Sequence, residues 1–160
     1  DEIRLWADYL SPGRRSRWIV DDAGNRGGLA PDDQFVILGD MNADPVDGDS
    51  WPGAIGQLLD HPRVQDPRPG SDGAVEAAAT PGGENLQYTG EPRLDTADFT
   101  DDPAPGNLRV DYALPSRPLQ VVFSAVYWPQ TGHPGSELTG TDPFPASDHR
   151  LVRVDLQIAD

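Results

Sequence analysis

The hydrophobic residues of this chain occur in short runs, separated by stretches rich in glycine, proline and aspartate. Apolar positions that recur every three or four residues predict helices over residues 2–10, 52–60 and 74–79. The stripes expected to face the core are Ile3, Trp6 and Leu10 in the first helix and Ile55, Leu58 and Leu59 in the second. The pattern therefore predicts short regular elements joined by long ordered loops.

Continuous or alternating apolar residues predict strands over residues 18–20, 35–38, 108–114, 119–127 and 151–158. The run 35–38 is wholly apolar, which is typical of a strand buried on both faces. The polar stretch 21–28 is predicted to form the tip of a hairpin. The remainder of the segment 62–106 is predicted to be loop.

The strand predicted over residues 108–114 alternates most regularly. One face is expected to carry Leu108, Val110, Tyr112 and Leu114, and the other Arg109 and Asp111. The pattern therefore predicts a strand with one apolar face and one polar face.

The apolar strand 35–38 is followed almost directly by Asp40 and Asn42. If the chain stays extended, residues two apart point to the same side, so these two side chains would face one site together. An ordinary turn is the alternative, because aspartate and asparagine favour turns. A calcium loop of the EF-hand type is excluded, since Pro45 and Trp51 occupy the positions that require glycine and a bidentate carboxylate.

Further polar groups lie at two other predicted strand ends, Asp111 at one and Asp148 with His149 at the other. Asp111 could instead pair with Arg109 or another arginine on a solvated face, and Asp148 and His149 could form an ordinary turn. A serine triad is excluded because Ser147, Asp148 and His149 are consecutive, whereas triad members converge from separate segments. The chain also has no Gly-x-Ser-x-Gly motif.

Composition narrows the classes of function. The 160 residues suit one domain, and 27 acidic residues against 12 basic ones, all arginine, give a net charge of −15. Such a charge disfavours long nucleic acids and anionic lipid as partners. The absence of cysteine excludes disulfides and thiolate metal sites, and no apolar run is long enough to predict a membrane span. The basic cluster of Arg14, Arg15 and Arg17 is interpreted as a solvated loop end rather than a phosphate-binding site.

Three motifs, taken together and in this order, resemble the C-terminal signatures of the endonuclease/exonuclease/phosphatase superfamily: Gly39-Asp40-Met41-Asn42, Arg109-Val110-Asp111-Tyr112 and Ser147-Asp148-His149. The resemblance spans residues 35–156. It implies the deoxyribonuclease I-like fold, a two-sheet sandwich flanked by helices. The chain would then be an α+β structure that supplies half of this α/β sandwich, with a mixed sheet and flanking short helices.

The resemblance also implies metal-dependent hydrolysis of phosphoesters, with Mg²⁺ or Mn²⁺. Asp40 would orient and deprotonate the attacking water, and Asn42 would hold the nucleophile and a phosphate oxygen. His149 would bind the scissile phosphate while Asp111 accepts its other ring N–H. Asp148 and Asp40 would be the metal ligands. These roles agree with the chemistry, because hydrolysis at phosphorus needs an activated water and stabilisation of the charge on the phosphate oxygens.

The chain departs from the family's pattern in its N-terminal part. The family's N-terminal motifs, which include a metal-binding glutamate, are not found before Asp40. We therefore expect residues 1–160, which begin with aspartate rather than methionine, to be the C-terminal half of one domain and inactive alone. An uncovered apolar sheet face would then pair with the N-terminal half or with a second copy.

The acidic charge favours a small phosphoester substrate over nucleic acid. The alternative from another class is a binding or structural module that keeps the fold without catalysis. The sequence leaves the location in the cell open, with a secreted protein, extracellular or periplasmic, as the working hypothesis.

Overall fold

The fold is described by a computed structural model that covers residues 2–79, 83–102, 105–140 and 147–158. Its helices are α1 (Glu2–Tyr9), α2 (Gly56–Leu59) and α3 (Asp72–Ala78), with 3₁₀ helices over Glu84–Gln87, Pro92–Leu94 and Ser136–Leu138. Its strands are β1 (Val36–Asp40), β2 (Ala97–Asp98), β3 (Asn107–Leu108), β4 (Asp111–Pro115), β5 (Gln120–Tyr127) and β6 (Leu151–Gln157).

The strands form three two-stranded antiparallel sheets, which pair β1 with β4, β2 with β3, and β5 with β6. Helices together with antiparallel sheets agree with the predicted α+β class. The predicted mixed sheet differs from this arrangement, because every strand pairing in the described ranges is antiparallel. The pairs β1–β4 and β5–β6 join segments that run in opposite directions, so neither pair needs the crossover that parallel strands require. The two-sheet sandwich stays a prediction.

Helix α1 has nearly its predicted bounds, whereas α2 begins four residues later than the predicted start at residue 52. The side chains of Ala7 in α1 and of Leu10 directly after it are buried, but Trp6 is 42% exposed, so its predicted place in the core is wrong. Leu10 was correctly predicted to face the core. The other buried contact comes from Ala7 and not from the larger side chain of Trp6. Helix α3 begins earlier than predicted because Ser71 caps it, accepting a hydrogen bond from the amide of Ala74 at 3.1 Å.

The main core lies between α1, α2 and the pair β1–β4. Its fully buried members are Ala7, Leu10, Ile37, Ala43, Ile55, Leu58, Val64, Tyr112 and Leu114. Ile55 and Leu58 are buried as predicted, with Leu59 packed against the cluster. The core therefore covers one side of the β1–β4 pair and fixes the position of the strand end that carries Asp40.

Strand β1 was predicted to be buried on both faces, and this prediction is wrong. Ile37 is 6% exposed, whereas Val36 and Leu38 are 39% and 71% exposed. Alternate residues of a strand point to opposite faces, and helices α1 and α2 cover the face of Ile37 alone. The opposite face of β1 is apolar and uncovered in the residues that the structure describes. This agrees with the expected uncovered sheet face, although the pairing of that face stays a prediction.

The strand predicted over residues 108–114 is interrupted between β3 and β4. The amide of Arg109 donates to the Asp44 carboxylate, and the amides of Val110 and Asp111 donate to the Thr96 hydroxyl. Three consecutive amides thus bond side-chain oxygens instead of a neighbouring strand. Arg109 was predicted on a polar face, but its side chain is buried.

Other predicted connections also differ from the structure. The hairpin around residues 21–28 forms, but its strand 18–20 is reduced to one isolated bridge between Val20 and Arg26. The segment 62–106, predicted as loop outside one helix, also contains two 3₁₀ helices and strand β2. The loop that precedes His149 was predicted to end at residues 146–149, of which residue 146 lies outside the described ranges. Among the described residues, no helix has the length and apolar character needed to cross a membrane.

Candidate active site

Asp40 and Asp111 lie opposite each other at the end of one sheet. Asp40 is the last residue of β1 and Asp111 the first of β4, and the antiparallel register pairs them directly. Residues paired across two strands have Cβ atoms only about 5 Å apart. The core below them holds both strands, so the two carboxylates share one edge of the β1–β4 pair.

His149 completes this cluster, because its Nδ1 lies 2.9 Å from Oδ2 of Asp111. An ionised carboxylate can only accept hydrogen bonds, so Nδ1 carries the proton and donates it to Asp111. Phe99 contacts the imidazole edge to face, with ring centroids 5.3 Å apart and planes at 81°. The imidazole is therefore fixed from two sides, and its Nε2 is the atom left to act on a ligand. The alternative that Asp111 pairs with Arg109 is wrong, since Arg109 pairs with Asp66.

The surroundings of His149 raise the pKa of its imidazole above the ordinary value of 6.5. Partial burial on its own lowers the pKa. The hydrogen bond that His149 donates to Asp111 and the negative charges of Asp111, Asp40 and Asp148 outweigh that effect. A larger fraction of the imidazole is thus protonated near neutral pH, which suits the binding of an anion.

The segment that carries His149 is held by the backbone of strand β2. The amide of Asp98 donates to the carbonyl of Asp148 at 2.9 Å, and His149 forms an isolated antiparallel bridge with Ala97. The buried guanidinium of Arg150 donates to the carboxylate of Asp98 at 2.9 Å. These contacts fix the position of a histidine that lies far along the chain from Asp111.

Thr96 links the two halves of the cluster and was not singled out from the sequence. Its hydroxyl oxygen accepts hydrogen bonds from the amides of Val110 and Asp111 at 3.0 and 2.9 Å. Its carbonyl accepts from the amide of Arg150 at 2.7 Å, and the residue is completely buried. The side chain of Thr96 thus holds the start of β4, and its backbone carbonyl holds the segment that carries His149.

Asn42 does not lie on an extended continuation of β1. Its φ angle of 47° is left-handed, and its amide donates to Oδ1 of Asp40 at 2.7 Å. This Asx turn means that the predicted alignment of the two side chains by strand periodicity is wrong. The turn, and not an extended strand, brings Asp40 and Asn42 together. The alternative prediction of a turn at these residues is therefore the correct one.

Asp44 organises the loop beyond β1, a role that sequence reasoning missed. One carboxylate oxygen accepts from the amides of Val46 and Asp47, both at 2.7 Å, and the other accepts from the amide of Arg109 at 2.8 Å. The hydroxyl of Tyr112 also donates to the carbonyl of Ala43 at 2.8 Å. The position of Asp44, two residues after Asn42, was the signal that could have identified it.

A small cavity of about 180 Å³ lies beside this cluster. Its lining includes Asn42, Asp44 and Phe99, the aromatic residue that contacts His149. Typical ligand pockets for drug-sized molecules hold roughly 300–1,000 Å³. The cavity therefore has room for a small group rather than an extended polymer.

Asp95 is a second ionisable group that the sequence gave no reason to single out. Burial, together with the charges of Asp44, Asp47 and Asp98, raises its pKa to about 8. At neutral pH its carboxyl group is therefore mostly protonated. It lowers the negative charge of this acidic region and can donate a hydrogen bond.

The same cluster was tested for a metal site. Among the residues that the structure describes, no three side chains of histidine, aspartate or glutamate come close enough together to hold a metal ion. Magnesium prefers six oxygen ligands and dehydrates reluctantly. Asp40 and Asp148 both act on His149 through their charges, but two carboxylates do not make a complete site. The described residues by themselves thus do not fit a bound divalent cation.

The comparisons with known proteins agree with the motifs. A family model described as the endonuclease/exonuclease/phosphatase family matches residues 3–149. A search of curated proteins found no match, and a search of solved structures found none either. The family match begins far upstream of Asp40, where the three motifs gave no indication of the family. It confirms the superfamily to which the motifs pointed, and this chain belongs to the endonuclease/exonuclease/phosphatase family.

Proposed function

We propose that this protein hydrolyses a small phosphoester through the cluster of Asp40, Asn42, Asp111 and His149. Members of its family are hydrolases that act on phosphoester bonds. The observation that carries the proposal is the 2.9 Å contact between Asp111 and His149, at the strand end where Asp40 faces Asp111 in register. It supports a site with an oriented imidazole on one side and a carboxylate close to it.

His149 is proposed to bind the phosphate. With Nδ1–H donated to Asp111, the protonated ring has its Nε2–H available for an oxygen of the phosphate. The raised pKa of His149 supports this role, since an imidazolium stabilises the negative charge that develops on those oxygens. Asp111 acts as the group that fixes the ring and favours its charged form.

Asp40 is proposed to orient the attacking water and accept its proton. Its side chain is exposed at the end of β1 and its Oδ1 accepts the amide of Asn42, which fixes the carboxylate relative to the turn. The proton passes from water to Asp40 as the water oxygen bonds to phosphorus. The bond between phosphorus and the ester oxygen breaks in the same step, and the leaving oxygen takes a proton from solvent. The side-chain amide of Asn42 is proposed to hold the water and a phosphate oxygen. The proposed roles of Asp40 and Asn42 need both residues near the edge that β1 and β4 share. The pairing of Asp40 with Asp111 supports this position.

Family members generally use divalent metals, and Mg²⁺ or Mn²⁺ is proposed here as well. Such an ion would neutralise charge on the phosphate. Asp148 and Asp40 are its proposed ligands, and the remaining ligands would come from water or from residues beyond those described. We propose that the 160 residues act as the C-terminal half of one domain and gain activity with an N-terminal half. A second copy of the chain is the other proposed partner for its uncovered face.

The substrate class can be tested directly. We expect a small phosphodiester or phosphomonoester to be hydrolysed in preference to plasmid DNA under one metal and salt condition, because a −15 chain repels a polyanion. The assays use residues 1–160, and also the protein with any residues that its gene encodes before Asp1. Efficient nicking of plasmid at physiological salt would contradict the preference for small substrates.

The residue roles have a separate test. Replacement of Asp40 by asparagine should lower turnover by about 10²–10⁴-fold, because a general base is lost while the size of the side chain is kept. Asp155→Asn is a matched control, since Asp155 lies on β6 and pairs with Arg153 at 2.7 Å away from the cluster. Unchanged turnover in a folded Asp40→Asn protein would remove Asp40 from the mechanism.

A binding module without catalysis is the second candidate, and one observation favours it. No complete set of metal ligands is found in the described part of the chain. This candidate predicts no hydrolysis with any divalent metal, even with the residues encoded before Asp1 present. Metal-dependent hydrolysis that requires Asp40 or Asp148 would exclude it.

A further inference from the structure

A second cavity lies beside α1 and the turn that follows it, apart from the candidate active site. It measures about 710 Å³ and is lined by Arg4 and Asp8 of α1 and by Arg14, Arg15, Arg17 and Trp18 of the turn that follows. We name this cavity the arginine pocket. None of the residues that line it belongs to the cluster around His149. Its volume falls within the range of roughly 300–1,000 Å³ that is usual for small-molecule sites.

The charges of the arginine pocket are unbalanced. Four guanidinium groups line it, and the carboxylate among its lining residues is that of Asp8. Asp8 is already engaged, since Oδ2 accepts from Arg4 Nε at 3.4 Å and from the indole Nε1 of Trp18 at 3.2 Å. In a chain with a net charge of −15, such a concentration of positive charge is a local exception.

Three of these arginines are also without protein partners. Within the described ranges, the side chains of Arg14, Arg15 and Arg17 make no hydrogen bond or ion pair. Arginines elsewhere do, as Arg109 does with Asp66 and Arg153 with Asp155. The three arginines are exposed, which agrees with their interpretation as a solvated loop end. That interpretation did not predict that all three line one cavity.

A bound anion would relieve the repulsion between these like charges. Guanidinium groups match the geometry of phosphate oxygens and can bind them with two parallel hydrogen bonds. A concave surface also concentrates the field of its charges more than a flat one does. Three free cations in one cavity suit a ligand with several negative charges better than a single monoanion.

We propose that the arginine pocket binds a small ligand that carries a pyrophosphate or a longer phosphate chain, with Arg14, Arg15 and Arg17 as its contacts. The site is independent of the proposed hydrolysis. Trp18 lies within the pocket and is held by its bond to Asp8, so its fluorescence reports on occupancy.

The probe is inorganic pyrophosphate, added to the 160-residue chain in EDTA and followed by calorimetry and tryptophan fluorescence. EDTA removes any contribution from a metal at the candidate active site. We expect one site per chain and a change in fluorescence that is lost in Trp18→Phe. Orthophosphate and sulfate should bind at least about tenfold more weakly, a difference of about 1.4 kcal/mol.

The deciding variant replaces the three free arginines by glutamine: R14Q/R15Q/R17Q. Its matched control is R68Q/R93Q/R153Q, which removes the same charge from exposed arginines outside the arginine pocket. We expect the affinity for pyrophosphate to fall at least about tenfold in the first variant and to stay within about twofold of wild type in the second. Circular dichroism of both variants checks that the fold is kept.

Three outcomes would overturn the proposal. Equal losses in both triple variants would mean that net charge alone attracts the anion, and equal affinity for sulfate would mean an adventitious ion only. Loss of pyrophosphate binding in His149→Ala would move the ligand to the candidate active site. Binding that persists in His149→Ala supports the arginine pocket, whatever the outcome of the hydrolysis assays.

Discussion

Two histidines of this chain stand in opposite electrostatic surroundings. His149 is partly exposed and lies beside Asp111, whereas His61 is 6% exposed and lies beside Arg63. The pKa of His149 is raised above 6.5, and the pKa of His61 is lowered, first by burial and then by the charges of Arg63 and Arg15. Burial acts in the same direction on both rings, so the hydrogen bond of His149 to Asp111 and the neighbouring charges decide the difference.

The hydrogen bonds of His61 and His149 also differ. Nδ1 of His61 accepts the amide of Arg63 at 3.2 Å, so its proton is on Nε2, which donates to the Ser11 hydroxyl 3.0 Å away. Ser11 in turn donates to the carbonyl of Ala7 at 2.8 Å. Both nitrogens of His61 are used within the fold, whereas His149 uses one and leaves Nε2 for a ligand. His61, whose partners are structural, and His149, which is proposed to bind phosphate, are thus distinguished by their hydrogen bonds.

The largest expected effect comes from removing the charge of Asp111. Asp111→Asn keeps an oxygen near the ring but loses the carboxylate, so the pKa of His149 should fall and that of His61 should not change. Hydrolysis should decrease by about 10²-fold or more, because less of the imidazole is protonated and oriented. NMR titration of the histidines and a steady-state assay measure the two effects. An unchanged His149 titration would show that its partner is not Asp111.

A smaller but still large effect on stability is expected from Thr96→Val. The substitution keeps the shape but leaves the buried amides of Val110 and Asp111 without their acceptor, which should cost about 2–4 kcal/mol in the free energy of unfolding. Thr96→Ser retains the hydroxyl and should lose about 1 kcal/mol for the missing methyl group. Urea denaturation measures both. A loss in Thr96→Val no larger than that in Thr96→Ser would contradict a dominant role for the hydroxyl.

The two histidines should also differ in how pH affects stability. The pKa of His149 is raised in the folded state, so its stabilising contribution is full below 6.5 and is lost as pH rises through the folded pKa. The pKa of His61 is lowered, so its contribution is present above 6.5 and is lost as pH falls through the folded pKa. The Tm difference between wild type and His149→Gln should therefore shrink at high pH, and that for His61→Gln at low pH. Parallel pH profiles for both variants would contradict the comparison.

The smallest expected effect concerns the exposed Arg15. Its charge is the weakest of the three causes that lower the pKa of His61, so Arg15→Gln should raise that pKa slightly. Arg153→Gln removes the same charge on β6 and should leave His61 unchanged. Histidine NMR titration resolves the two cases. A shift of equal size in both variants would attribute the effect to net charge rather than to proximity.

The sequence by itself determined the elements whose information is local. Helical spacing gave α1 and α2, continuous β-prone residues gave β5, and the order of three short motifs gave the family. The residues Asp40, Asp111 and His149 were identified from these motifs, which lie within or next to predicted strands. Local backbone preference and the side-chain period of a strand or helix are sufficient for this.

Tertiary structure decided the contacts between distant segments. It left Leu38 exposed on a strand predicted to be buried, because the helices cover a single face of β1. It brought Arg109 into the interior beside Asp66. It also joined Asp111 to His149, which are 38 residues apart. Periodicity specifies which side of an element a residue occupies, but the packing of other segments specifies what that side meets.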